Sequence, residues 1–195
     1  EEMRVNDRVT EVRGWFDAAQ AMQADTVALR RAIHAEPELG LQTPKTLAKV
    51  RAALAGLPLE WKTGSSTTGA VAVLRGAKPG RTVLLRGDMD ALPMPEDTGL
   101  PFGSKVEGTM HACGHDTHTA MLASAARALC ARRESLVGTV LFMFQPGEEG
   151  WHGARFMIDD GLLDHPAPEA AFALHIMPNA PAGSLPEAGL PASSG

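Results

Sequence analysis

The chain has 195 residues, 44% of them hydrophobic and 21% charged, with a mean hydropathy of −0.08. That is enough apolar surface for a core and excludes a disordered chain, while no apolar run approaches the ~18 residues of a membrane span. A formal charge of −5 leaves no basic footprint for nucleic acid or anionic lipid. No charged-then-apolar leader pattern is visible, although Glu at position 1 leaves a removed leader open.

Residues 3–35 read as one helix, with Val9, Val12, Trp15 and Phe16 and then Val27, Leu29 and Ile33 at helical spacing, stopped by Pro37. A second helix starts at Thr43–Pro44, with Thr43 as N-cap and Pro44 in the first turn, and runs to Gly56. After a loop at 64–69, residues 70–75 and 82–86 form two strands joined by a turn at 76–80. Their continuous apolar runs suit a sheet covered on both faces. Residues 87–112 form a long polar loop rich in Pro and Gly, and loops of that length inside a compact domain are usually functional. A helix at 115–133, a strand at 139–144, a helix at 152–160 stopped by Gly161 and a strand at 170–175 follow. The residues from 178 onward read as linker or tail. This order predicts an α/β three-layer sandwich, a mixed sheet with helices on both faces.

Polar clusters fall just after the strands: Asp88 and Asp90, Glu148 and Glu149, and His175. Sites in open α/β sheets lie beyond that edge, so three strands deliver acids or imidazoles toward one crevice. The densest cluster is His111-Ala-Cys113-Gly-His115-Asp116-Thr-His118. A Cys-x-His pair at the mouth of a helix suits a soft or borderline divalent metal, and both the helix N-terminus and the metal would favour the thiolate. His118, one turn into the helix, either supports the ligands or is simply packed. His111 is either a substrate contact or a partner in a loop hydrogen bond. Adjacent residues at a strand end point to different sides, so of Glu148 and Glu149 one can bind metal while the other acts as general base. Asp88 and Asp90 are either acids of a turn or groups that ligate a metal or orient a ligating histidine. Together the residues supply Cys113, His115, Glu149 and His175 as ligands and Glu148 as base. His34 and Glu38 either line the crevice or fix a helix end. Two cysteines permit one disulfide, but nothing marks a disulfide scaffold, and Cys130 reads as a small buried hydrophobe.

The segments RRAIHAEPELG (30–40), LLRGDMDALPMPEDTGLPFGS (84–104), GTMHACGHDTHTAML (108–122), VLFMFQPGEEGWHGARFMIDDGLL (140–163) and ALHIMPNAPAG (173–183) carry a resemblance. The sequence resembles the amidohydrolases that include hippurate hydrolase, plant indole-acetyl-amino-acid hydrolases and bacterial aminoacylase- and carboxypeptidase-like enzymes. The resemblance implies metal-dependent hydrolysis of N-acyl amino acids or related small amides. It also implies a pair of divalent ions drawn from manganese, zinc, nickel or cobalt. Cys113 would bridge them where other branches use Asp. His115 would be a ligand, compensating for Asp88, which stands where those branches carry a ligating His. Glu149 and His175 would be ligands and Glu148 the general base and acid. Asp90 would support the catalytic machinery next to a peptide bond that is often cis. His111, Asp88, Asp116 and His118 would touch substrate or back the ligands.

Members of this group are longer than this chain. They continue into a lid domain that mediates dimerisation and then return with a last ligating histidine. Residues 1–180 are therefore expected to be the N-terminal part of a catalytic domain and 181–195 a linker, with the lid absent and the full-length form a homo-oligomer. The alternatives are an incomplete metal-binding fragment without activity, or a peptidase or deacetylase of the same group. Cys113 in place of Asp argues against most of the latter branches. A thiolate ligand suits a reducing compartment, which favours the cytoplasm.

Overall fold

A computed structural model describes residues 5–178; the expected linker at 181–195 lies outside the described residues. Helices α1 (Val5–Ala21), α2 (Gln23–His34) and α3 (Pro44–Ala53) come first, followed by strands β1 (Glu60–Thr63), β2 (Ala70–Arg75) and β3 (Lys78–Asp88). Helix α4 (His115–Ala131), strand β4 (Val137–Gln145), helix α5 (Gly153–Asp159) and strand β5 (Ala170–Ala173) complete the order. The strands form one mixed sheet ordered β1-β2-β4-β3-β5. The β1/β2 and β2/β4 pairs are antiparallel, and β3 runs parallel to both β4 and β5. The expected sandwich is present.

Strand β4 explains the layering. Its side chains alternate, so Val140, Phe142 and Phe144 pack under α3 and α4, while Leu141 and Met143 pack with Met157 of α5 on the other face. Phe142 and Phe144 are fully buried, and truncating either to Ala would cost about 3–5 kcal/mol.

Five expectations are corrected. The first helix is two, broken at Met22, whose φ/ψ of −94°/−2° interrupts the helix without Gly or Pro. Strand β1 was not expected; it is held by its antiparallel ladder to β2 and by Trp61 stacked on Phe144 at 6.1 Å. Strand β3 begins at Lys78, inside the expected turn, because a register shift between Lys78 and Thr82 lets the polar segment pair with β4. Thr43 does not cap α3 with its side chain. Glu38 does so instead, accepting the Lys45 and Thr46 N–H groups at 3.0 and 2.8 Å, so Glu38 fixes a helix end. Strand β5 stops at Ala173, where its ladder to β3 ends opposite Arg86, and all four of its residues are exposed. No described helix is long and apolar enough to cross a membrane.

Candidate metal centre

The carboxyl ends of β3 and β4, the N-terminus of α4 and the segment after β5 meet at one place. Gly114 opens α4 in the left-handed region at φ +89° and sets Cys113 and His115 on either side of the turn. His115 is fully buried, yet neither of its ring nitrogens has a hydrogen-bond partner. Its Nε2 lies 3.8 Å from Asp88 Oδ2, 3.8 Å from Glu149 Oε1 and 3.9 Å from Glu148 Oε2, and its Nδ1 lies 3.6 Å from Asp90 Oδ1. These separations are too long for hydrogen bonds. His175 brings Nε2 to 3.3 Å from Cys113 Sγ.

Two sets of donors sharing His115 therefore sit within reach of single ions. One is Cys113, His115 and His175; the other is His115, Glu148 and Glu149. All four expected ligands come together with the expected base. A third set, Asp88, His115 and His118, is equally compact but differently bonded. Asp88 Oδ1 lies 2.7 Å from His118 Nδ1, and Oδ2 accepts Arg86 Nη1 at 2.6 Å. His118 Nε2 accepts the Ile176 N–H at 3.0 Å.

Asp90 Oδ1 accepts the Glu148 N–H at 2.9 Å and Oδ2 the Glu149 N–H at 3.1 Å. It thereby fixes the turn that carries both glutamates. The Asp90 peptide bond is trans; among the described residues the cis bond is His165–Pro166.

The charge balance asks for a cation. Burial pushes the Cys113 thiol up to about 12, and the neighbouring carboxylates of Glu149, Asp88 and Glu148 add to it. Burial and these three carboxylates therefore outweigh the pull of the helix N-terminus on the thiolate. Burial raises Asp88, but the hydrogen bond from His118 and the charges of His115 and Arg86 outweigh it and hold the carboxyl down at about 2. Burial works against a charged His115, but Asp90, Asp88 and Glu149 overcome it and raise its pKa. A buried imidazole with two orphaned nitrogens, a thiol and a ring of carboxylates fit a divalent cation with mixed N, O and S donors.

Three other expected site residues stand outside these donor sets. Asp116 is buried with Oδ2 at 2.6 Å from Arg30 Nε and 2.7 Å from His34 Nδ1. His34 reaches Glu96 with Nε2 at 3.3 Å, so His34 and Asp116 tie α2 and α4 to the 87–112 loop and do not line the crevice. His111 is buried without a partner on either nitrogen, and burial drives its pKa down to about 4. It makes no loop hydrogen bond and offers little surface to a substrate. Arg30, Arg86 and Glu96 were not anticipated. Arg30 and Glu96 belong to ion pairs made across the fold, and Arg86 pairs with Asp88 on its own strand.

Both cysteines are free.

Residues 84–187 match the family model described as peptidase family M20/M25/M40. The chain is 41% identical over 169 residues to the N-acetylcysteine deacetylase of Bacillus subtilis (strain 168), covering 86% of this chain and 44% of that protein. It is 39% identical over 183 residues to thermostable carboxypeptidase 1 of Saccharolobus solfataricus, covering 92% and 44%. Among solved structures, the Bacillus subtilis YXEP protein, described as a dinuclear metal-binding peptidase from the M20 family, superposes with a TM-score of 0.77 at 42% identity, over 82% of this chain and 44% of that one. The chain thus spans less than half the length of these relatives. Proteins named as a deacetylase and as a carboxypeptidase are both this similar, so Cys113 does not set the chain apart from them.

Proposed function

The chain belongs to peptidase family M20/M25/M40, and from that premise we propose that it forms the metal-bearing part of an amidohydrolase acting on N-acyl amino acids or related small amides. The observation that carries this is His115, buried with both nitrogens unpartnered and its Nε2 at 3.8–3.9 Å from three carboxylates. The relatives named as a deacetylase and a dinuclear metal-binding peptidase support the same reading. Residues 1–180 then belong to a catalytic domain, with 181–195 leading out of it. The full-length protein is proposed to act as a homo-oligomer in the reducing cytoplasm.

Cys113, His115, Glu149 and His175 would hold a pair of divalent ions, of manganese, zinc, nickel or cobalt. When bound, such ions polarise a carbonyl and lower the pKa of a water enough to make it a nucleophile near neutral pH. Glu148 is more exposed than Glu149 and has the freer carboxylate, so it is the general base. It takes the proton of the attacking water and passes it to the amine nitrogen as the C–N bond breaks, leaving a carboxylate and a free amine. Asp90 holds the backbone of Glu148 in place throughout.

The test uses the full-length protein with Glu148→Gln. Metal content is expected to stay at the wild-type level while kcat on N-acetyl or N-benzoyl amino acids falls ~10²–10⁴-fold. Unchanged turnover would remove Glu148 from the mechanism. Wild-type cleavage of dipeptides with no action on N-acyl amino acids would assign the peptidase branch instead.

A further inference from the structure

Three imidazoles meet at the centre, and their bonding separates them. His115 has two free nitrogens, and His175 turns Nε2 to Cys113. His118 has none to spare. Its Nδ1 lies 2.7 Å from Asp88 Oδ1 and its Nε2 accepts the N–H of Ile176 at 3.0 Å. A carboxylate can only accept and a backbone N–H can only donate, so a neutral ring protonated on Nδ1 satisfies both contacts at once.

The position of Ile176 gives this bond its meaning. The ladder that holds β5 ends at Ala173, and Leu174, His175, Ile176 and Met177 continue without a strand partner and exposed. Besides the edge-on contacts of the His175 ring with His118 and His115 of α4, centroids 4.5 and 6.2 Å apart, two contacts fasten them to α4. One is the Ile176 N–H to His118. The other is the seating of the Ile176 side chain over Gly114, where an added Cβ would lie 2.2 Å from Ile176 Cδ1. His175 is the residue immediately before. Behind His118, Asp88 is held by Arg86, whose Nε also donates to Gln145 Oε1 at 2.8 Å. A continuous chain of bonds therefore runs from the ends of β3 and β4 through α4 to the residue beside His175.

We propose that His118 is not a ligand but a positioning residue, which docks the His175 segment onto α4 through the Ile176 N–H, with Asp88 fixing its tautomer. This rests on the reading of His175 as a metal ligand. Partners of ligating histidines typically change metal affinity ~10–100-fold when removed, and His118 is expected to do so through the Ile176 backbone and through its ring contact with His175.

The two halves of its bonding are separable. His118→Gln keeps an acceptor within reach of Ile176, whereas His118→Asn keeps a donor toward Asp88 and loses the acceptor. Ile176→Pro removes the same N–H from the exposed side, together with the side-chain contact over Gly114, and leaves the buried ring in place. Hydrogen–deuterium exchange of the peptide spanning residues 172–178 and Co²⁺ affinity are measured in the full-length protein. Asn is expected to speed exchange ~10-fold or more and to weaken Co²⁺ binding ~10–100-fold. Gln should restore both, and Ile176→Pro should weaken Co²⁺ like Asn. Wild-type exchange in both His118 variants would overturn the docking contact. Faster exchange with unchanged Co²⁺ affinity would overturn the positioning role. Failure of the underlying metal reading has its own signature, Co²⁺ binding indifferent to His175→Ala, and that too would overturn the role.

Discussion

Asp90 grips the backbones of Glu148 and Glu149 with its two carboxylate oxygens, at 2.9 and 3.1 Å, across the ends of adjacent parallel strands. A side chain from β3's continuation thus sets where the turn after β4 places both glutamates. Those bonds and the neighbouring His115 outweigh the effect of burial and lower the Asp90 pKa, so it works as a carboxylate. Asp90→Ala would strand two backbone donors in a partly buried turn, at a cost of about 2–5 kcal/mol. Asp90→Asn keeps one acceptor and should cost less. Urea denaturation of the two variants checks this order, and kcat should fall in both.

Glu38 caps α3 from seven residues upstream, receiving the Lys45 and Thr46 N–H groups and the Thr46 hydroxyl. Glu38→Ala is expected to lower stability by about 0.5–2 kcal/mol, the range for a lost N-cap. Metal affinity should be unchanged. Thermal melts and a parallel metal titration distinguish this capping role from a place in the crevice.

Asp160, at the end of α5, accepts the Ser66 N–H at 2.9 Å and the Ser66 hydroxyl at 2.8 Å. The Ser66 backbone and hydroxyl bonds hold its pKa below 3.8. A carboxyl with a depressed folded pKa stabilises above its unfolded value, and that contribution is lost as pH falls through the folded one. The stability gap between wild type and Asp160→Asn should therefore be constant above the ordinary carboxylate range and close below 3.8. Urea midpoints across that range measure it.

What the sequence makes legible follows from the range of the interactions. Strands β2 and β4 are visible because a strand covered on both faces must be apolar throughout, as Ala70–Leu74 and Val140–Phe144 are. The candidate site is visible because Cys113, His115, Glu148, Glu149 and His175 each lie at or just beyond the end of a readable element. Strand β1 is hidden because it is only four residues long and Glu60 and Lys62 disfavour a strand, so pairing with β2 decides it. The bonding of Asp88 and His118 is hidden for the same reason, since only the approach of α4 to the end of β3 joins His118 to the Arg86–Asp88 pair. The thiol shows the reverse error. A helix N-terminus is a local feature, but burial and three carboxylates from the ends of two strands outweigh it at Cys113.

The centre stands or falls on Cys113 as a metal ligand. A Co²⁺ titration of the full-length protein, followed by optical absorption, addresses it directly. Two equivalents should bind, with a thiolate-to-cobalt charge-transfer band that Cys113→Ser abolishes. A bound cobalt spectrum without that band, or one that Cys113→Ser leaves unchanged, would contradict the proposed centre.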